Sequence, residues 1–166
     1  DIGPSINQPQ KNGTTPLLLS IHNKQTEVAF KLLKHPSISK SISQKNNDGI
    51  TPLLRAIDTK QTDIALELLK QDNIAKSINQ AEKDHSTGGV MSTSHSMASV
   101  KSSGNTPLLK AIGSNQTDIA LKLLQRDDIT PSINTPDIDG NTPLFHAIAK
   151  VQTDVALKLL KHPSIS

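Results

Sequence analysis

The chain has 166 residues, no cysteine, and 18 Lys and Arg against 15 Asp and Glu for a net charge of +3. This composition excludes disulfide staples and thiolate chemistry, and the interspersed charges are ordinary for keeping a surface solvated. Only two Arg (Arg55, Arg126) and two aromatic residues (Phe30, Phe145) are present, so the groups that read nucleic acids by bidentate contact and stacking are nearly missing.

In chain order, residues 1–7 (Asp-Ile-Gly-Pro-Ser-Ile-Asn) match residues 128–134, so the sequence starts on the tail of a repeating unit. A first full unit follows with Gly13-Thr14-Thr15-Pro16-Leu17-Leu18, and the Thr-Pro pair returns at 51, 106 and 142. From Thr15 the steps are 36, 55 and 36 residues, the middle one being a single period plus 19 extra residues. The rest of the unit keeps the same phase. Gln-Thr-(Asp/Glu)-(Ile/Val)-Ala begins at Gln25, Gln61, Gln116 and Gln152, and a Leu-Leu pair follows at Leu32, Leu68, Leu123 and Leu159. Repetition at a fixed period of this size is the signature of a stacked-unit architecture.

Each unit reads as two short helices. Thr at the N-cap with Pro at the first helical position starts the first, because the hydroxyl satisfies an orphan N–H and proline fixes φ. Leu17, Leu18 and Ile21 and their equivalents supply its apolar residues. The second opens with Thr and an acid, as in Thr117-Asp118, which places negative charge at the positive end of the helix dipole. It ends at polar or breaking residues such as Lys34-His35-Pro36. The pairs Ile38/Ile42, Ile74/Ile78 and Ile129/Ile133 are spaced by four, so a single helical turn is expected to carry them inward. A polar turn of the type Asp137-Ile138-Asp139-Gly140 closes the unit.

These residues resemble the ankyrin repeat family, whose unit is roughly 33 residues long and carries Thr-Pro-Leu-His-x-Ala. The resemblance implies an all-α fold, an ankyrin-like solenoid of helix–turn–helix repeats joined by polar turns or hairpins. It implies one array over 1–166, with a remnant at 1–10 and repeats at about 11–46, 47–82, 102–137 and 138–166. With no polar capping unit at either end, the array is expected to be part of a longer chain. The sequence departs from the family in three places. Leu18, Leu54, Leu109 and Phe145 replace the histidine. The glycine between the helices is Lys24, Lys60, Asn115 and Val151, and a β-branched Val resists positive φ, so that turn is expected to be built differently. The extra length of each unit follows the second helix.

Residues 84–102 form the insertion. Nine of the eighteen residues in 86–103 are Ser or Thr, which predicts a flexible loop. Asp84-His85-Ser86 holds the residue types of a catalytic triad, but adjacency in a loop supplies no triad geometry. His85 and His95 lack the cysteines or the helical His-x-x-x-His spacing of a zinc site. His35-Pro36 and His162-Pro163 recur in phase, which points to a structural role. No catalytic, cofactor-binding or metal-binding residue is therefore assigned, and no cofactor, nucleic acid, membrane or small-molecule ligand is expected.

The expected partner is another protein. In ankyrin-like arrays the concave surface is built from turn tips and first helices, so the resemblance directs attention to the positions that vary there. At the tips these are Lys11, Thr14, Asn47, Ile50, Asn105, Ile138 and Asn141; at the helix ends, His22, Asp58 and Lys150. Leu19, Arg55, Lys110 and His146 share one repeat position yet carry four unlike chemistries, the pattern expected of a surface that packing does not fix. Ile50 and Ile138, apolar at turn tips, are the most pointed anchors. The leading expectation is a non-catalytic protein–protein interaction module. A substrate-recruiting arm of a larger enzyme and a structural spacer remain open. The Lys-, Ile-, Asn- and Ser-rich composition also resembles the ankyrin proteins that intracellular bacteria deliver into host cells, which implies a cytoplasmic protein or one sent into a host cytosol.

Overall fold

A computed structural model describes residues 3–82 and 105–165. The insertion at 84–102, with Asp84, His85 and His95, lies outside the described residues. A one-turn helix, α1 (Gly3–Ile6), precedes the first helix pair, α2 (Pro16–His22) and α3 (Thr26–Leu33). A 3-10 turn (Pro36–Ile38) and the short α4 (Ser39–Ile42) complete that unit. The second unit repeats the order with α5 (Pro52–Asp58), α6 (Thr62–Leu69), a 3-10 turn (Asp72–Ile74) and α7 (Ala75–Ile78). The third has α8 (Pro107–Gly113), α9 (Thr117–Leu123), a 3-10 turn (Asp127–Ile129) and α10 (Thr130–Ile133). The fourth contributes α11 (Pro143–Ala149) and α12 (Thr153–Leu160). No strand occurs among the described residues.

The Thr-Pro start works as its chemistry dictates. Thr15, Thr51, Thr106 and Thr142 each accept a hydrogen bond on the side-chain oxygen from the backbone N–H three residues on, at 3.2–3.3 Å. Each such cap is worth about 1 kcal/mol. The first helix then ends in a left-handed residue, and this differs from expectation. Lys24, Lys60, Asn115 and Val151 all take φ between 55° and 58°, so Val151 adopts the same turn as the others. The closing bonds explain why: Lys24 N–H reaches Ile21 O at 3.1 Å and Gln25 N–H reaches Ser20 O at 2.8 Å, and the same pair of bonds forms at the other three turns. This is the Schellman arrangement, which satisfies carbonyls that the helix end would otherwise orphan.

First helices stack as α2 on α5 on α8 on α11, and second helices as α3 on α6 on α9 on α12. The expected apolar columns form the core: Leu17, Leu53 and Leu108, Ile21, Ile57 and Ile112, and Ala29, Ala65 and Ala120 are all fully buried. The isoleucine pairs point inward as well. Ile38, Ile42, Ile74, Ile78, Ile129 and Ile133 are buried on the short turns after the second helices.

Two polar ladders fasten one unit to the next. Gln61, Gln116 and Gln152, each at the N-cap of a second helix, donate Nε2 to Ile21 O, Ile57 O and Ile112 O of the preceding unit at 2.6–2.7 Å. On the other side, Asn7 Nδ2 donates to Ser37 O at 2.5 Å and Asn7 Oδ1 accepts from Ser41 Oγ at 2.7 Å. Asn79 repeats both bonds with Asp128 O and Ser132 Oγ, at 2.7 and 2.6 Å. Burying the carbonyls of helix ends without such donors would leave unsatisfied groups. Among the described residues, no helix is long and apolar enough to cross a membrane.

Candidate functional site

The turns between units are short hairpins that sit beside the first helices. In the first two, Gly13 N–H closes on Gln10 O at 2.9 Å and Gly49 N–H on Asn46 O at 3.0 Å; in the last, Gly140 N–H closes on Asp137 O at 3.1 Å. All three glycines have φ of 81–85°. Gly13 is also sterically confined, since a Cβ there would stand 3.0 Å from Asn46 Cα. Side chains brace the tips from within: Asn46 Oδ1 accepts from Asp48 N–H and Ile50 N–H, and Asp137 Oδ1 accepts from Asp139 N–H and Asn141 N–H. Successive tips touch, with Asn47 N–H donating to Asn12 O at 2.9 Å.

The sequence-predicted positions lie on the tips and the first helices or their ends, and four of them meet in one groove. Between the first two units a groove of about 300 Å³ is lined by Thr14, Leu19, His22 and Arg55 from that set, together with Gln10, Asn12, Leu18, Asn46 and Asp48. Lys11 and Asn47 stand exposed on the adjoining tips, and Ile50 is half-buried beside them. The remaining positions spread along the stack. Asn105 is exposed before α8, Asn141 is half-buried in the last turn, and Ile138 at that tip is 67% exposed. Lys150, exposed at the end of α11, lines a separate cleft with Val151, Thr153 and Asp154.

The column Leu19, Arg55, Lys110 and His146 is less free than its variation suggests. Lys110 Nζ lies 2.6 Å from Glu82 Oε1 and 2.8 Å from Asp58 Oδ1, and its side chain is mostly covered. His146 Nε2 lies 2.7 Å from Asp137 Oδ2. Asp58 and Lys110 thus meet each other across the boundary between the second and third units. Burial alone would raise the Asp137 carboxyl; hydrogen bonds from His146, Asn141 and Asp139 outweigh it and hold the group below its ordinary value. The signal was present in the sequence. Gln10, Asn46, Glu82 and Asp137 occupy one repeat phase, so both units with an acid at the tip carry Lys or His on the helix facing it.

Away from this face, the recurring His-Pro pairs cap the turns that follow the second helices: His35 Nδ1 accepts from Ser37 N–H and His162 Nδ1 from Ser164 N–H, both at 3.2 Å. Where the third unit has Arg126 instead, the guanidinium reaches Leu69 O at 3.0 Å and forks onto Asp128. The hydrogen bond from Arg126 keeps the Asp128 carboxyl below its usual range.

A family model of ankyrin repeats, in three copies, matches residues 2–82 and again 86–166. The chain belongs to the ankyrin repeat family. No individual curated protein matches it. Ankyrin repeats are generally protein-interaction modules, and the all-α stack of this chain is an ankyrin solenoid with a longer segment after each second helix. The ankyrin histidine position is filled by Leu18, Leu54 and Leu109, which are buried, and by Phe145, which is exposed in the last unit.

Proposed function

We propose that this ankyrin chain is a non-catalytic docking module that binds a partner protein on the face made by its turn tips and first helices. One observation carries the reading. The groove between the first two units gathers Thr14, Leu19, His22 and Arg55, four residues at three repeat positions that differ from unit to unit, into a single concavity. Side chains used only for stacking repeat from unit to unit; these do not. The glutamine and asparagine ladders hold the face in one geometry, so docking requires little ordering of the receptor. Such docking needs no cofactor, and the working compartment is that of the partner, cytoplasmic in this reading.

The test is differential capture. Proteins retained by the intact chain are compared with those retained by Leu19→Glu, by His22→Glu, and by Glu27→Lys on the opposite, second-helix side. A partner lost with the two groove variants and kept with Glu27→Lys supports the assignment, provided all variants melt alike. A partner lost with Glu27→Lys and kept with the groove variants would place docking elsewhere.

A further inference from the structure

Arg55 is the only permanent cation among the described residues that line the groove, and it lacks the acidic partner that its counterparts have. Lys110 and His146, at the same repeat position, are each matched by an acid on the neighbouring tip, Glu82 and Asp137. The equivalent tip residue beside Arg55 is Asn46. Its Oδ1 is already taken by Asp48 N–H and Ile50 N–H at 3.1 and 2.9 Å, and its Nδ2 donates to Asp48 Oδ2 at 3.2 Å. Asp58 and Glu82, the acids on the side of the third unit, are held by Lys110, and Asp48 on the groove's own rim takes its side-chain bond from Asn46. The Arg55 Nε is buried and makes no hydrogen bond. A guanidinium offers a planar fork of donors suited to a carboxylate.

We propose that this groove takes an aspartate or glutamate side chain of the partner protein, which supplies in trans the acid that Glu82 and Asp137 supply in cis to Lys110 and His146. The inference rests on the docking function proposed above and adds the chemistry of the partner. Leu18 and Leu19 give the acid's methylene stem an apolar wall. Asp48 on the rim argues against a phosphate dianion, which it would repel more strongly than a single carboxylate.

Random peptides displayed as fusions, so that they carry no free C-terminal carboxylate, are selected on the intact chain. Enriched peptides are then measured against Arg55→Gln and Leu19→Lys. The expected result is a recurring Asp or Glu whose conversion to the amide weakens binding about tenfold or more, with the same loss from Arg55→Gln and no further loss when the two are combined. Arg55→Gln should melt as the parent does, which separates loss of a ligand contact from loss of fold. Peptides that depend on Leu19 but show no coupling between an acid and Arg55 would overturn the carboxylate and leave groove docking intact. Peptides indifferent to both variants, or an empty selection, would overturn the groove reading itself.

Discussion

Ser43 occupies the position at which the other units carry Asn7, Asn79 and Asn134, and the difference of two heavy atoms shows in the structure. The asparagines at 7 and 79 each span two groups of the next unit, a turn carbonyl and a serine hydroxyl. Ser43 donates to the carbonyl, that of Asn73, but does not reach the hydroxyl. Ser77 Oγ is accordingly buried without a partner. A cleft of about 360 Å³ opens beside Ser43, lined also by Lys40, Asn73 and Lys76, so an asparagine side chain has room. Ser43→Asn should therefore raise stability by about 1 kcal/mol, the worth of one recovered hydrogen bond. Thermal or urea melts of parent and variant read this directly, and an unchanged midpoint would show that the second bond is not made. The sequence displayed the four aligned positions, but not their use. The bonds run to residues 30 to 53 positions away, and only the stacking of units brings those groups together.

At the scale of the element, local rules were strong enough to be read directly from the sequence where they concern one helix and misleading where they concern its end. Thr-Pro starts and apolar spacing specify a first helix without reference to anything beyond it. The inter-helix turn is different, because its geometry is imposed by both helices and by the stack. Val151 shows the conflict: intrinsic preference opposes φ of +56°, yet the two closing bonds of the turn, Val151 N–H to Ile148 O and Gln152 N–H to Ala147 O, hold it there. A side chain in this region costs about 1 kcal/mol or more relative to glycine. Val151 is almost wholly exposed, so removing it forfeits little packing. Val151→Gly should stabilise the chain despite glycine's greater freedom when unfolded, raising the melting temperature by about 2–4 °C. A fall in melting temperature would mean that the strain is already relieved elsewhere in α11 or α12.

Across the whole molecule, stability in a solenoid comes from the faces that successive units cover, since each unit contacts only its neighbours. Positions equivalent to Ile148 are Ile21, Ile57 and Ile112, all fully buried, and those equivalent to Leu160 are Leu33, Leu69 and Leu124, all at most 4% exposed. On the fourth unit the same positions open outward: Ile148 is 62% and Leu160 54% exposed, with Phe145 and Leu157 beside them. The residues are those of an interior interface, and here no unit among the described residues covers them. An apolar patch of this kind drives association in water. Because it contributes little to the packing of its own unit, its removal should separate two properties that usually travel together. The double variant Ile148→Lys, Leu160→Glu is expected to keep the parent's stability within about 0.5 kcal/mol in dilute solution, as surface substitutions do. In sedimentation velocity at rising concentration, the parent should shift toward larger species and the variant should stay at the sedimentation coefficient of one chain. Identical profiles for the two would show that the face does not drive association, and a large loss of stability would show that Ile148 and Leu160 hold the fourth unit together from within.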